Sequence, residues 1–507
     1  MTGENGEHGR GEGITPPPHR MPSALFDAVA MGGGGAEALR LLARAEHSRR
    51  LACAYAVTAA ARETGGAVAE EAARAWELLA AATRADPAAG ATVLKHPAAG
   101  PALFGLLAAL RRGPDPGRAA LGRFTALAAA AAVRAGLPVR LAWQVEGPWM
   151  ALPSLGRACF PRADAPYGGT AEVVVGTDGT ARVTLSGPRE KPGRPGPRQE
   201  PRVREERGPR RDTDPPDPPF APEPAREPGW WTAPEHREAP VVLTPSGGRW
   251  HTPRHLSTLA PGAPLLLDVL DQPGFPNAVR PPGPRTPEVG RWRAVARPGC
   301  AMLRAEHPET YGELAADTRL LVPLVRSGQG SVSGSTAEMF GCVGMSRPAT
   351  ATGFAVTMAH EMQHNKFAAV LHLFDLLEPS EGPDRFYAPW RPDPRPLIGL
   401  FHGAYAHLGV ALFWARRRET GPTLQTEAHV QFARWRLAAR DATLVILASG
   451  RLTPLGRRFA DRMLDALDAL CRQPVPLSAR IRAESAARAH LTAWQARNGV
   501  PERALPA

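Results

Sequence analysis

The chain has 507 residues, 43% of them hydrophobic, which is long enough for two or three packed domains. Its formal net charge is +12, but the arginines are scattered among alanine and leucine and only 6% of residues are aromatic, which argues against a nucleic-acid partner. Its five cysteines are far apart and form no C-x-x-C pair, which excludes a disulfide framework and a thiolate zinc site.

The sequence changes character three times within its first half. Residues 1–20 are polar, lack the apolar segment of a signal peptide, and are predicted to be a disordered tail. Residues 21–136 carry alanine and leucine at helical spacing between short Gly, Pro and Asp breaks, which predicts a helical segment. Residues 137–186 are β-rich, and Thr177-Asp-Gly179 is typical of a hairpin turn.

Residues 187–240 are predicted to be a disordered linker or insertion. Fifteen of the 53 residues over 188–240 are proline, the charges of both signs balance, and large apolar residues are few, so the stretch cannot bury enough surface to offset its chain entropy. Residues 241–507 are predicted to form a metal-binding catalytic region. Within this part of the chain we predict strands at 239–243, 264–269, 320–325 and 340–343, a helix over 287–304, and mainly helices from 352 onward.

The predicted fold class is therefore α+β and predominantly helical. It combines an N-terminal helical segment, a small β region, a disordered proline-rich insertion and a helical C-terminal catalytic half. No run approaches the roughly 18 consecutive apolar residues that span a bilayer. We therefore expect a cytoplasmic protein without a membrane partner, and the sequence leaves its oligomeric state open.

An H-E-x-x-H motif lies in a helical stretch and consists of His360, Glu361 and His364. Histidines at positions i and i+4 share one helix face, so both imidazoles can reach one metal ion. The structural alternative is two surface histidines beside a solvated glutamate. His372, two turns further along, is interpreted as an ordinary helix residue.

A metal ion needs a third ligand, and the sequence leaves its identity open. The metzincin extension is absent, and the carboxylates available for a thermolysin-like site fall in or beside a Pro/Gly-rich loop: Glu378, Glu381 and Asp384. The better candidates are His402 and His407, which begin the next predicted helix. We favour His407, because apolar residues continue its helix face. A buried, hydrogen-bonded histidine is the alternative for either one.

The loop between these helices holds two arginines, Arg391 and Arg395, among four prolines and a tryptophan. Rigid, permanently charged guanidinium groups suit bidentate recognition of a carboxylate, as an enzyme with a dicarboxylate co-substrate requires. Pairing with Asp393 or Asp384 to brace a turn explains each of them equally well.

Several of these motifs together resemble the bacterial HEXXH-motif peptide-modification family. They are Ser331-Val-Ser333, Phe340-Gly341, His360–His364, Ala388–Pro396, Gly403–His407 and Phe413-Trp414, with a looser likeness at Leu152–Ala158. Members of that family are found near precursors of ribosomally made peptides. The resemblance implies an iron(II)- and 2-oxoglutarate-dependent β-hydroxylase that acts on a precursor peptide. It also implies His360, His364 and a third ligand on iron, Arg391 or Arg395 on the distal carboxylate of 2-oxoglutarate, and Glu361 as an orienting residue.

The rival hypothesis is a zinc metallopeptidase. There the same two histidines bind zinc and Glu361 is the general base that deprotonates the attacking water. A peptide-binding scaffold with a vestigial motif is a third, non-enzymatic possibility.

Overall fold

The fold is a predominantly helical α+β arrangement, as predicted, with thirteen helices and three small sheets among the described residues. The computed structural model describes residues 19–145, 149–159, 169–186, 244–245, 249–269, 275, 278–279, 283–326, 330–379, 385–420 and 425–499. Several predictions fall outside these residues: the tail except residues 19 and 20, the insertion at 187–240, the strand at 239–243, and the candidate ligands Glu381 and Asp384.

The N-terminal segment folds into six helices. They are α1 (Ser23–Ala30), α2 (Gly35–Thr64), α3 (Gly66–Ala85), α4 (Pro87–Lys95), α5 (Ala99–Arg112) and α6 (Arg118–Ala135). The Asp-Pro break in the sequence starts α4, because the Asp86 side chain accepts a hydrogen bond from the Ala88 amide at 2.9 Å and Pro87 occupies the first helical position. Helix α6 is buried on all sides from Phe124 to Val133, as its alanine-rich sequence predicts for a core helix.

Seven short strands follow in two sheets. They are β1 (Val139–Val145), β2 (Trp149–Leu152), β3 (Gly156–Cys159), β4 (Gly169–Val175), β5 (Ala181–Ser186), β6 (Thr244–Pro245) and β7 (Arg249–His251). The sheet orders are β1-β4-β5-β6 and β2-β3-β7. Strands β4 and β5 form the predicted hairpin, in which Val175 pairs with Ala181 and Gly179 takes a φ of +78° in the turn.

The rest of the described chain consists of a five-stranded sheet and seven helices. Its elements are β8 (Arg254–Ala260), β9 (Ala263–Leu267), α7 (Thr286–Glu306), α8 (Pro308–Asp317), β10 (Leu320–Pro323), β11 (Ser333–Gly334), β12 (Cys342–Met345), α9 (Ala351–Leu373), α10 (Leu397–Thr420), α11 (Gln425–Leu447), α12 (Pro454–Cys471) and α13 (Leu477–Asn498). The sheet order is β11-β12-β10-β9-β8, and β9, β10 and β12 run parallel. Helix α9 packs against α2, α7 and α10, so the H-E-x-x-H motif lies on a helix held by the core.

Helix α10 meets the length and hydropathy test for a membrane-spanning helix, which we expected no segment to meet. Histidines interrupt the apolar residues of α10, so it has no long run of consecutive apolar residues. Its mean hydropathy is nevertheless high enough to pass the test. The protein itself buries 72% of its most apolar stretch, so packing accounts for this composition. The pair α4 and α5 passes the same test together, with a bend of 74° between them.

Candidate metal centre

Helix α9 carries the two motif histidines on one face. The helix starts where Thr350 caps it by accepting a hydrogen bond from the Gly353 amide at 3.0 Å. One turn separates His360 from His364, and their ring centroids lie 4.8 Å apart with the ring planes at 80°. The predicted helical placement of the motif is confirmed.

Helix α10 brings the two further candidate histidines against this pair. The ring of His407 lies 5.0 Å from that of His360, and the ring of His402 lies 5.8 Å from that of His364. The ring contacts thus run in the order His407, His360, His364, His402. Two helices therefore assemble four imidazoles that are up to 47 positions apart in the sequence.

His407 is the most firmly oriented of the four. Its Nδ1 donates a hydrogen bond to the Gly403 carbonyl at 2.8 Å, which leaves the Nε2 lone pair available to a metal ion. The ring is stacked on Trp390, with centroids 4.3 Å apart, and contacts Trp435 at 4.7 Å. Glycine is required at 403, because a Cβ there would lie 2.4 Å from the Trp390 ring.

The four rings form a row of neighbours, each in contact with the next. Within the described residues, no group of three or more His, Cys, Asp or Glu side chains is arranged so that it could hold a metal ion. The donor chemistry nevertheless fits a transition metal, because imidazole nitrogen is a preferred ligand of iron and zinc.

Burial keeps all four imidazoles neutral at physiological pH. It lowers the pKa of His360 and that of His364 to about 4, and the pKa of His402 to about 3. The pKa of His407 is lowered well below its usual value, again chiefly by burial. Neutral imidazole is the form that binds metal ions, so no proton has to be removed first.

Glu361 is almost completely buried, with 1% of its surface exposed. Its Oε2 accepts a hydrogen bond from Ser335 Oγ at 2.7 Å, and its Oε1 lies 3.9 Å from His360 Nε2. The structural alternative of a solvated glutamate is therefore wrong for this residue. Its carboxylate is fixed beside the first histidine of the motif.

Asn365 and Ser335 form a polar network that sequence reasoning missed. Asn365 Nδ2 lies 3.2 Å from Ser335 Oγ and 3.1 Å from the Cys342 carbonyl, and its Oδ1 accepts from the Gly341 amide at 3.1 Å. The sequence offered one signal, a polar residue directly after the motif on a helix with an apolar setting. Such a residue is buried only if it finds partners.

Both arginines of the loop are paired with Asp393. Arg391 Nε donates to one carboxylate oxygen at 3.0 Å, and an Arg395 Nη donates to the other at 3.3 Å. All three side chains are about one-third to one-half exposed. The turn-bracing arrangement is therefore present. Arg395 also lies near His402: the pKa of His402 is lowered first by burial, then by His364 and His372, and last by Arg395.

The remaining predicted residues lie outside the cluster. Glu378 is exposed, and its backbone amide donates to the Arg451 carbonyl at 2.9 Å. His372 lies on α9, as predicted, with its Nδ1 2.6 Å from Glu46 Oε1 on α2. Neither residue has a ring contact or hydrogen bond with the four histidines among the described residues.

Comparison of the chain with protein-family models and with curated proteins found no match to either.

Proposed function

We propose that this protein is an iron(II)- and 2-oxoglutarate-dependent hydroxylase that modifies the β-carbon of a residue in a ribosomally made precursor peptide. The observation that carries the proposal is the meeting of three histidine rings from two helices. The ring of His360 lies 4.8 Å from that of His364 and 5.0 Å from that of His407. The likeness to the HEXXH-motif peptide-modification family supports the peptide substrate, and a cytoplasmic location goes with it.

The chain's own residues would divide the work as follows. His360, His364 and His407 would hold iron(II), with His402 as the alternative third ligand. The Gly403 carbonyl would keep the His407 ring in the tautomer that presents Nε2. Bound iron(II) with 2-oxoglutarate and dioxygen supplies the oxidising power for hydroxylation of a C–H bond.

The two loop arginines would hold 2-oxoglutarate by exchanging the carboxylate of Asp393 for a carboxylate of the co-substrate. Arg391 and Arg395 both direct their guanidinium groups at the Asp393 carboxylate, so their positions suit joint binding of a carboxylate. In the proposed complex the distal carboxylate of 2-oxoglutarate takes the place of Asp393. Glu361, fixed by Ser335, would orient a neighbouring ligand and would not act as a base.

One observation favours a zinc metallopeptidase as the second candidate. Glu361 Oε1 lies 3.9 Å from His360 Nε2, which is close to where a general base must stand to take a proton from water at a zinc site. In that case the loop arginines would only brace their turn.

The deciding experiment separates the two reactions. Protein purified anaerobically is loaded with iron(II), and succinate release from 2-oxoglutarate is measured with and without a precursor peptide encoded near the gene. The hydroxylase proposal expects succinate and a peptide that gains the mass of one oxygen atom. Peptide cleavage with zinc and no succinate with iron would overturn it.

One variant separates the two reactions, and a second tests the metal site that both of them require. Glu361→Gln removes a general base, so it should reduce a peptidase about 100-fold or more but a hydroxylase far less. His364→Gln should abolish iron binding in elemental analysis. The matched control is His372→Gln, on the same helix but outside the cluster, which should retain the metal.

A further inference from the structure

A cleft lies between the two edge strands β1 and β2 and the helices α5 and α6. The space in it that is open to the centres of water molecules is about 100 Å³. Since one water needs about 10–15 Å³ by this measure, the cleft has room for several waters or for a molecule of one or two rings. None of the four clustered histidines lines it.

The walls of the cleft are largely apolar. They are formed in part by Ala98, Ala102, Ala126, Trp143, Met150 and Leu152. This part of the cleft, which we call the slot, is lined by small alanines on and beside two helices and by a tryptophan and a methionine from two strands. A slot of this kind suits an aromatic ring, which gains contact area with little loss of conformational freedom.

One end of the cleft holds a buried guanidinium with an unused donor. Arg157, 6% exposed, donates to the Asp268 carboxylate and to the Val269 carbonyl. Its Nε has no hydrogen-bond partner among the described residues. A buried N–H without a partner costs free energy, so an acceptor that reaches this atom is stabilised by it.

The charges along the cleft favour an anion. Arg157 and Arg123 both line it, and Asp268 is already bound to Arg157. In the part of the chain that the structure describes, Arg123 makes no ion pair. One positive charge is therefore left uncompensated beside the apolar slot.

The turn between β2 and β3 holds the polar end of the cleft in a strained conformation. Ser154 lines the cleft and has a φ of +73°, which is unfavourable for a residue other than glycine. Arg134 stabilises this turn, since it donates to Ser154 Oγ and to the Ser154 carbonyl, each at 2.7 Å. Strain of this kind is retained mainly at functional sites.

We propose that this cleft is a second binding site, which takes a small aromatic carboxylate. The ring of the ligand lies in the slot against Trp143, and its carboxylate accepts from Arg157 Nε and faces Arg123. This proposal is independent of the metal chemistry at the histidine cluster.

The test uses 2-naphthoate as the probe and the full-length protein. Binding is measured by isothermal titration and by saturation-transfer NMR, in parallel with 2-naphthamide, the neutral amide of the same shape. We expect the carboxylate to bind at least about ten times more tightly than the amide, because only the carboxylate interacts with the uncompensated charge. Arg123→Gln should remove most of this difference.

A variant with a large side chain in the cleft tests whether naphthoate binds there. Ala119→Phe, at the partly exposed rim of the cleft on α6, should weaken naphthoate binding about ten-fold or more. Ala108→Phe is the matched control, because Ala108 is exposed on α5 and does not line the cleft. Thermal unfolding of each variant confirms that it is folded. Equal affinity for acid and amide, equal effects of the two phenylalanines, or no saturable naphthoate binding would each overturn the proposal.

Discussion

Lys366, two residues after the second motif histidine, is completely buried. Its ammonium group lies 2.7 Å from Glu313 Oε1 on α8 and donates to the Gly32 and Gly33 carbonyls at 3.0 Å each. A buried ion pair repays its desolvation only when the remaining donors also find partners, and here the two carbonyls provide them. The pair therefore fixes α9 to α8 and to the loop before α2.

Removal of one partner of this pair should be strongly destabilising. Lys366→Met leaves Glu313 buried without its counter-charge, so we expect the free energy of unfolding to fall by about 3–5 kcal/mol in urea denaturation. The double variant Lys366→Met/Glu313→Gln should recover part of that loss, because no charge is left buried. The control is Arg480→Ala in an exposed pair on α13, which should cost under about 1 kcal/mol. A loss no larger than the control's would contradict this account of the pair.

Asp393 occupies both loop arginines, so its carboxylate competes with the proposed co-substrate. Asp393→Asn should lower the KM for 2-oxoglutarate about two- to five-fold, which is the size expected from the loss of partly exposed ion pairs. Succinate release at varied 2-oxoglutarate measures this effect. Asp465→Asn removes an exposed ion pair on α12 and should leave KM unchanged. If KM also stays constant in Asp393→Asn, the arginines serve only to brace the turn.

Helix α13 holds the loop that lies against the histidine cluster. The hydroxyl of Tyr387 in this loop lies 2.8 Å from His490 Nδ1. The Tyr387 ring packs on Trp494, with ring centroids 5.3 Å apart. Asn498 at the end of α13 donates to the Pro392 carbonyl at 2.8 Å. The C-terminal helix thus positions the segment whose Trp390 covers His407.

Trp494→Ala should loosen this segment. Trp494 is 3% exposed, so its removal should cost about 3–5 kcal/mol of unfolding free energy. Because the loop carries both arginines, the KM for 2-oxoglutarate should rise as well. Leu477→Ala on the same helix is the control, since Leu477 is 59% exposed and should cost about 0.5 kcal/mol or less. An unchanged KM would show that α13 does not position the proposed co-substrate site.

Local patterns in the sequence predicted the elements better than the contacts between them. The spacing of apolar residues predicted α9, and the Thr177–Gly179 turn predicted the β4–β5 hairpin, because both depend on neighbouring residues. The Ser335–Glu361 hydrogen bond joins residues 26 positions apart, and the buried Lys366 finds its partner 53 positions away. Periodicity carries no information on such distant pairs. The ring orientations at the histidine cluster depend on packing of the same kind.

Helix α2 belongs to two hydrophobic cores. Its first part, including Leu39 and Leu42, packs in the core that contains α9 and α10, and its later part, including Val57, packs in the core of the N-terminal helices. Arg50, between these parts and 2% exposed, donates to the Lys95 carbonyl at 2.9 Å and to the Phe340 carbonyl at 3.4 Å. The predicted helical segment over 21–136 therefore contributes directly to the hydrophobic core that contains α9 and α10.

Buried histidines should make the whole molecule sensitive to acid. Burial lowers the pKa of His96 to about 3 and that of His307 to about 4, against 6.5 for an ordinary histidine. Between these values the unfolded chain binds more protons than the folded chain, so stability is fully present above pH 6.5 and falls as the pH drops toward 4. Asp317 acts in the opposite direction, because burial raises its pKa to about 6 and the folded chain then gains stability as pH falls from 6.

The loss of stability that the buried histidines cause in acid should exceed the gain from Asp317, because several histidines contribute to it. A single pKa lowered from 6.5 to about 4 is worth about 3 kcal/mol at the acid end. Urea midpoints at pH 7.5, 6.0, 5.0 and 4.5 should therefore decrease steadily, at constant ionic strength. Asp317→Asn should make the decrease steeper, and His307→Phe, which keeps a ring stacked on Phe413, should make it shallower. A midpoint that holds constant down to pH 4.5, or identical slopes in all three proteins, would mean that these histidines gain access to water while the chain is still folded.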